Sequence, residues 1–116
     1  MKARLTAIGT SLVYDPDENG VPKVNMADVC VEFNLDKKRY SISIVFPIDV
    51  VGVRFDETQA IKSETLTKHL MGRIGKELDR QNVKDADMTD VENVIRLKMP
   101  YLLRKAINRE IFTQTF

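Results

Sequence analysis

The segment A-D-V-C-V-E-F-N-L, residues 27–35, decides the fold that the sequence predicts. Its apolar residues stand at every second position, and an Asp, a Cys, a Glu and an Asn stand between them. Because successive side chains of a β-strand point to opposite sides of the sheet, this alternation predicts a strand with one buried face and one wet face. Such a strand needs a second layer of the protein to cover its apolar face.

The neighbouring segments predict further strands. Residues 39–46 repeat the alternation. The short polar connection at residues 36–38 predicts that this strand forms an antiparallel hairpin with the strand at residues 27–35. Residues 4–14 predict another strand. Apolar residues stand on both of its faces, so the sequence does not decide which face is buried. Residues 51–55 could form a fourth strand. Pro47 would then lie at a strand end or on a sheet edge, because proline has no N–H to donate.

The chain changes to a helical period after residue 57. The apolar residues of the first predicted helix are Leu66, Leu70, Met71, Ile74 and Leu78. They recur mostly every four residues, with charged residues on the other faces, which predicts an amphipathic helix. Ser63 is predicted to be its N-cap, and the helix is expected to end near Gln81 and Asn82.

A second helix is predicted after the acidic link at residues 84–87. Thr89 and Glu92 have the three-residue spacing of a capping box, in which two side chains satisfy backbone N–H groups of the first turn. Pro100 is expected to kink or end this helix because proline cannot donate the helical hydrogen bond. Residues 101–112 are predicted to continue as a second helical segment.

Strands followed by helices predict the α+β class. The predicted architecture is an N-terminal antiparallel sheet of three to four strands, followed by two C-terminal amphipathic helices packed on one sheet face, the last kinked near Pro100. With 116 residues, of which 43% are hydrophobic, the chain suits a single domain at 1–116 and is too apolar for a disordered one. Residues 1–56 form its β-rich half and residues 63–112 its helical half.

Charge and cysteine content narrow the classes of function. The chain has 18 Lys and Arg against 17 Asp and Glu, and the net charge of +1 creates no global field for a polyanion. The one cysteine, Cys30, excludes an internal disulfide and multi-cysteine zinc sites. The most apolar stretch, residues 44–53, is broken by Pro47 and Asp49 and is too short to span a bilayer. We therefore expect no membrane partner and a cytoplasmic location.

The loop D-P-D-E-N-G, residues 15–20, matches the first half of a calcium-binding loop. Asp15, Asp17 and Asn19 stand at the positions whose oxygens would hold the ion. The second half does not match, because position twelve is Met26 rather than a carboxylate. The turn preferences of Asp, Asn and Gly explain the same residues as a polar hairpin connection. We expect no metal, with calcium as the alternative.

The segment M-G-R-I-G-K, residues 71–76, is similar to the G-x-x-G loop of KH domains. That resemblance implies a clamp on a nucleic-acid backbone between two helices. An unbroken helix is the competing interpretation. The residues of this nucleic-acid alternative are Gly72, Arg73, Gly75 and Lys76, with the C-terminal Arg104, Lys105 and Arg109. For the C-terminal group a solvated helix face is the favoured interpretation, because cations suit the end of a helix and a charged outer face suits water.

No motif indicates catalysis. His69 is the single histidine and Cys30 the single cysteine, and the sequence shows no nucleophile, base and orienting acid together. We expect no catalytic residue, no cofactor and no enzymatic activity.

A binding or assembly role remains. Three or four strands with two helices leave at least one sheet edge uncovered, and small α+β domains often close such an edge in a symmetric homo-oligomer. The candidate contact residues are Val50, Val51, Phe112 and Phe116, which would otherwise complete the monomer's own core. We expect the partner to be protein, first of all a second copy of the chain. The short acidic loops favour a bacterial or phage accessory protein.

The order of elements gives one further resemblance. Strands first, two helices last, and the segment Met99-Pro100-Tyr101-Leu102 resemble the SecB-type export chaperones. That family places an antiparallel sheet before two helices and oligomerises to bind unfolded chains. The resemblance implies a peptide-binding chaperone as a further alternative and assigns no functional residue.

Overall fold

The elements follow the predicted order, with one addition at the end of the chain. A computed structural model describes residues 1–16, 18–48 and 57–116. The elements are β1 (Arg4–Pro16), β2 (Pro22–Leu35), β3 (Lys38–Pro47), α1 (Glu57–Arg80), α2 (Thr89–Ile107) and β4 (Phe112–Thr115). The strands form a sheet in the order β3-β2-β1-β4, antiparallel at every step. The predicted α+β class, with an antiparallel sheet before two helices, is confirmed. The predicted strand at residues 51–55 lies outside the described residues.

β2 lies inside the sheet and carries the core. Its buried residues are Ala27, Val29, Val31, Phe33 and Leu35, at 0–3% exposure. β2 is joined to β3 by a two-residue turn at Asp36 and Lys37, whose φ angles are 50° and 67°. Positive φ at both central residues is the type I′ geometry, whose twist matches that of the flanking strands. The predicted hairpin and the predicted buried face therefore both form.

A bulge in β1 explains why apolar residues stand on both of its apparent faces. Leu5 pairs with Phe33 and Ala7 with Glu32, so Thr6 is an extra residue in the ladder. One extra residue reverses the facing of every side chain that follows. The buried residues here are Ala3, Leu5, Ile8 and Thr10. They are odd-numbered before the bulge and even-numbered after it, so all four lie on the helix side.

The helices cover the apolar face of the sheet. α1 packs on β3, α2 packs on β1 and β2, and the helices pack on each other. Their fully or nearly buried apolar residues are Leu70, Ile74, Leu78, Val91, Ile95, Met99, Leu102, Leu103, Ala106 and Ile107. Burial of each large aliphatic side chain contributes about 1.5–3 kcal/mol relative to exposure. The core therefore lies between the helix layer and one face of the sheet.

The prediction that Ser63 caps α1 is wrong, because the helix extends further toward the N-terminus. α1 begins at Glu57, and Ser63 lies within it at 5% exposure. The carbonyl oxygen of Ser63 accepts a hydrogen bond from the hydroxyl of Thr67 at 2.9 Å. The predicted end is confirmed: α1 ends at Arg80, and Asn82 just beyond it has a φ of 57°.

The predicted capping box of α2 does not form. Met88 is the N-cap and makes no side-chain cap bond, and Thr89 is already helical. The backbone N–H of Thr89 donates instead to the Asp87 carboxylate at 3.1 Å, so the preceding acid takes the place of the predicted cap. Pro100 lies inside α2, which continues to Ile107. The predicted kink at Pro100 stays a prediction.

The end of the chain, predicted as helix up to Phe112, is a turn and a strand. Arg109 adopts a φ of 55°. Its N–H donates to the Ala106 carbonyl at 3.0 Å, and the N–H of Glu110 donates to the Lys105 carbonyl at 2.9 Å. These paired bonds are the Schellman motif that ends many helices. The turn leads into β4, which is an addition to the SecB-like order of a sheet before two helices.

Candidate protein-interaction surface

β4 forms one side of the sheet by pairing with a short part of β1. Residues 7–10 pair with residues 112–115, and the N–H of Phe116 donates to the Thr6 carbonyl at 2.9 Å. Gly9 allows this approach, because a Cβ there would lie 2.6 Å from a backbone oxygen of β4. No side chain fits in that space, so β4 lies close against β1.

An aromatic pair attaches β4 to α2. The ring of Phe112 meets that of Tyr101 edge to face, with centroids 4.9 Å apart. Such pairs contribute about 0.5–1.5 kcal/mol beyond their buried area. Lys105 lies over the Tyr101 ring at 5.4 Å, and its ammonium group is 2.8 Å from the carboxylate of Glu110. The hydrogen bond to Glu110 raises the pKa of Lys105, so Lys105 stays charged and paired with Glu110 beside the aromatic rings.

A groove separates the start of β1 from α2 on the same side of the molecule. Its volume is about 440 Å³, and its apolar lining is Ala3, Leu5, Val94 and Phe116. Lys2 and Asp90 also line it and form an ion pair at 2.9 Å. The hydrogen bond to Asp90 raises the pKa of Lys2. Phe116 and α2 therefore lie on opposite sides of a groove that is mostly apolar and whose two charged residues, Lys2 and Asp90, pair with each other.

The exposed and half-buried apolar residues of this region form what we call the β4-side surface. It comprises Val94, Leu97, Tyr101, Ile111, Phe112 and Phe116. Leu97 is 75% exposed, Ile111 68%, Phe116 54% and Tyr101 40%. Residues 94, 97 and 101 recur at helical spacing, so they share the side of α2 that adjoins β4. One side of the molecule thus presents large apolar side chains to solvent.

Two of the four predicted contact residues lie on the β4-side surface. Phe112 is half-buried against α2, and Phe116 is exposed. Residues 50 and 51, the predicted contacts Val50 and Val51, lie outside the described residues.

Sequence reasoning missed Leu97, Tyr101 and Ile111 as surface residues. A signal was present for two of them: Leu97 and Tyr101 are four residues apart and fall off the stripe formed by Val91 and Ile95. Apolar residues on the polar side of an amphipathic helix indicate a second contact.

The two edge strands of the sheet differ in their protection. β3 carries the exposed Lys38 and Arg39 near one end and Pro47 at the other. Charged side chains and proline discourage pairing between sheet edges. Residues 111–116 read I-F-T-Q-T-F and contain no charged residue, no Pro and no Gly. Segments of that composition pair readily with other strands. β4 is therefore the less protected edge within the described sheet.

Most side chains on the sheet face away from the helices are small or polar, and Val45 is an exposed apolar one. A shallow groove of about 450 Å³ on this face is lined by residues that include Gly9, Ser11, Asp28, Cys30, Glu32 and Thr113. The Ser11 hydroxyl donates to the Asp28 carboxylate at 2.5 Å, and Cys30 Sγ lies 3.5 Å from Ser41 Oγ. His69 is exposed on α1, in the layer on the other side of the sheet. The single Cys and the single His therefore do not meet within one chain.

The residues of the nucleic-acid alternative fall into two separate groups. Residues 72–76 lie within unbroken α1 and form no loop of the kind that the KH resemblance implies. Residues 104–109 lie at the end of α2 and just beyond it. Glu64 of α1 and Arg96 of α2 form an ion pair at 3.1 Å between the two helices. The segment after α1 contacts Lys38 at the β2–β3 turn through Gln81, whereas the segment after α2 leads into β4 opposite Thr10, so the two groups lie at different places in the helix layer.

The predicted calcium loop lies at the tip of the β1–β2 hairpin, between two strands as expected. Asp17 and the side chain of Asp15 lie outside the described residues, and Asn19 is exposed. In the part of the chain that the structure describes, no three His, Cys, Asp or Glu side chains are grouped so as to hold a metal ion.

The features of the described residues that bear on function are thus an apolar surface, a less protected sheet edge and a face of mostly small or polar residues. Of the two helices in the described ranges, neither combines the length and hydrophobicity that a membrane span requires. No protein-family model, curated protein or solved structure matches the chain significantly.

Proposed function

We propose that the protein is a small non-enzymatic assembly or adaptor protein that acts through protein–protein contacts and forms homo-oligomers. The observation that carries the proposal is the β4-side surface, where four large apolar side chains between 40% and 75% exposed adjoin an uncharged sheet edge. Cys30 is a free thiol, which suits a reducing, cytoplasmic location.

The chemistry of this surface supports contact with protein. Interface cores are enriched in aromatic residues and depleted in Lys and Glu. The β4-side surface contains two Phe and one Tyr, whereas the outer side of α1 exposes Lys68, Arg73 and Lys76. Removing apolar surface from water contributes roughly 25 cal/mol per Å². The two sides of the helix layer therefore suit different surroundings: the outer side of α1 suits water, and the β4-side surface suits contact with another protein.

Light scattering coupled to size exclusion tests the proposal. We expect the unmodified protein at micromolar concentration to have a mass of at least twice the 13.3 kDa of one chain. Leu97→Asp places a charge in the β4-side surface and is expected to lower that mass. Val45→Asp is the matched control, because Val45 is 54% exposed and lies on β3, at the opposite edge of the sheet from β4. A strict monomer over the whole concentration range contradicts the homo-oligomer.

Nucleic-acid binding is the second candidate, favoured by one observation. Lys68, Arg73 and Lys76 are exposed along α1, where a row of cations can contact phosphates. Fluorescence anisotropy with single-stranded and duplex DNA at low salt tests it. The double variant Arg73→Glu with Lys76→Glu is expected to weaken binding, and Arg104→Glu, in the distant group, is the control. Absence of binding by the unmodified protein at low salt rejects this function.

A further inference from the structure

We propose that β4 pairs antiparallel with β4 of a second copy of this chain, around a two-fold axis perpendicular to the sheet. Gln114 lies on the axis opposite its own copy, and Phe112 lies opposite Phe116 of the second copy. The pairing joins two four-stranded sheets into one of eight strands. This inference rests on the proposed function, because it names the surface and the register through which the chain assembles with itself.

The backbone of β4 has the hydrogen-bonding groups that this pairing needs. Along a strand, the N–H and C=O groups of successive residues point alternately to its two sides. The N–H of Phe116 donates to Thr6 of β1, so the groups of the even-numbered residues point to β1. The groups of Thr113 and Thr115 therefore point toward the open edge. In the proposed register Thr113 stands opposite Thr115 of the second copy, and the two copies form four hydrogen bonds.

The facing of the side chains determines the orientation of the axis. Residues opposite each other in an antiparallel pair point to the same side of the sheet. Phe112 and Gln114 share the helix side with their β1 partners Thr10 and Ile8, which are both buried. Even-numbered residues must therefore stand opposite even-numbered ones. A two-fold axis perpendicular to the sheet does this and places both helix layers on one side.

Side-chain chemistry selects the register. With Gln114 on the axis, the two aromatic residues stand opposite each other at both ends of the pairing, and the two amides meet in the middle. Moving the axis by one residue to Thr113 sets Phe112 opposite Gln114 and Phe116 opposite Glu110. That arrangement places each aromatic ring against an amide or a carboxylate. Like-with-like cross-strand pairs of aromatic residues are the stabilising kind, so the register on Gln114 is the better one.

The difference between the two sheet edges explains why assembly stops at two copies. Residues 111–116 have no charged side chain, so the side chains of two copies approach without repulsion across the axis. After pairing, the outer strands of the combined sheet are the two copies of β3. These carry Lys38, Arg39 and Pro47, which discourage further pairing. A two-fold contact that uses the same edge on both copies closes on itself.

The pairing also covers the β4-side surface. Tyr101 of α2 contacts Phe112 of β4, so α2 lies beside the edge that becomes the axis. Because both helix layers lie on the same side of the combined sheet, the two copies of α2 come next to each other. Leu97, Tyr101 and Phe116 then pack across the axis and leave water. The strand supplies the register, and these side chains supply the apolar area.

Cysteine crosslinking measures the register. In a Cys30→Ser background, Gln114→Cys places a thiol opposite its own copy, in a pair with Cα atoms about 4.5 Å apart. That separation lies within the disulfide range of about 4.4–6.8 Å. Thr113→Cys is the matched control, since its two copies are diagonal neighbours about 7–8 Å apart. Under mild oxidation we expect disulfide dimers of Gln114→Cys to form at least about tenfold faster than those of Thr113→Cys.

A proline variant tests the strand pairing without a thiol. Thr113→Pro removes an N–H that points to the open edge and leaves the bonds from β4 to β1 in place. We expect its self-association to weaken at least about tenfold while its unfolding midpoint at low concentration stays near that of the monomeric Leu97→Asp variant. Thr113→Val keeps the N–H and is expected to associate like the unmodified protein.

The outcomes separate this inference from the proposed function. An oligomer that resists Thr113→Pro and gives no disulfide through Gln114→Cys overturns the β4 pairing and leaves self-assembly standing. Faster crosslinking through Thr113→Cys overturns the register. A monomeric unmodified protein at every concentration overturns self-assembly and the β4 pairing together.

Discussion

The two faces of the sheet differ in what covers them and in what their residues contribute. On β2, Val31 and Phe33 are fully buried beneath the helices, whereas Cys30 and Glu32 on the opposite face are only partly buried. The covered face consists of large side chains packed between two layers. The open face consists mostly of small or polar ones, with β4 close against Gly9 at its side. Stability therefore depends on side-chain volume on one face and on backbone approach on the other.

Truncation of the covered face is expected to have the largest effect. Phe33 is fully buried and stacks on Tyr40 with ring centroids 5.2 Å apart. Phe33→Ala should lower the free energy of unfolding by about 3–5 kcal/mol, because the cavity cannot fill completely. Glu32→Ala, one residue earlier and on the open face, should change it by less than about 0.5 kcal/mol. Urea denaturation of both variants measures the difference, and equal losses would show that the faces are not distinct.

Added volume should matter on the open face only where β4 comes close. In Gly9→Ala the new Cβ meets the Phe112 carbonyl oxygen at 2.6 Å, so β4 must shift. We expect a loss of about 1–3 kcal/mol, as for overpacking elsewhere. The amide of Phe116, which bonds to β1, should exchange its hydrogen faster than in the unmodified protein. Unchanged exchange at Phe116 would mean that β4 does not depend on a glycine at this position.

The same substitution in α1 should have the opposite sign. Gly72 and Gly75 are exposed in the middle of the helix, and a Cβ at either would meet nothing within 4 Å. Gly72→Ala and Gly75→Ala should each stabilise the protein by about 0.5–1 kcal/mol, because alanine loses less backbone entropy in a helix. Gly20→Ala is the control, since Gly20 has a φ of 78°, where alanine is strained. Destabilisation at Gly72 would favour the loop that the KH resemblance implies.

The covered face was more predictable from the sequence than either end of the chain. Residues 27–35 alternate without interruption, so one pattern specified both the strand and its buried side. No residue type marks the bulge at Thr6, and its effect on β1 emerges only when the strand is paired with β2. At the other end, Arg109 occupies a left-handed position where glycine would have signalled the end of α2. The apolar residues at 111–112 then continued a helical spacing that the chain does not follow.

In the candidate surface, too, the sequence predicted what a local pattern shows and missed what depends on pairing between distant segments. Phe112 and Phe116 were predicted as contact residues because a sheet of three or four strands with two helices leaves at least one edge to cover. Their strand was not predicted, because four residues are too few for a period-two pattern to stand out. Leu97 became interpretable only once β4 placed Phe112 beside Tyr101. Edge strands that depend on a distant partner are specified by tertiary pairing more than by local pattern.

The ion pair on the outer side of the helix layer should have the smallest effect. Glu64 and Arg96 are each 43% exposed, and the hydrogen bond from Arg96 lowers the pKa of Glu64 from its ordinary value of 4.5. A carboxyl group with a lowered pKa in the folded protein stabilises it above the ordinary value and loses that contribution as the pH falls through the folded value. Because solvent screens exposed pairs, we expect only a slight decline in the urea midpoint below pH 4.5 from this pair. The decline is the difference between the pH profiles of the unmodified protein and Glu64→Gln. A difference as large as the loss in Phe33→Ala would mean that the helix surface, and not the covered face of the sheet, holds the layers together.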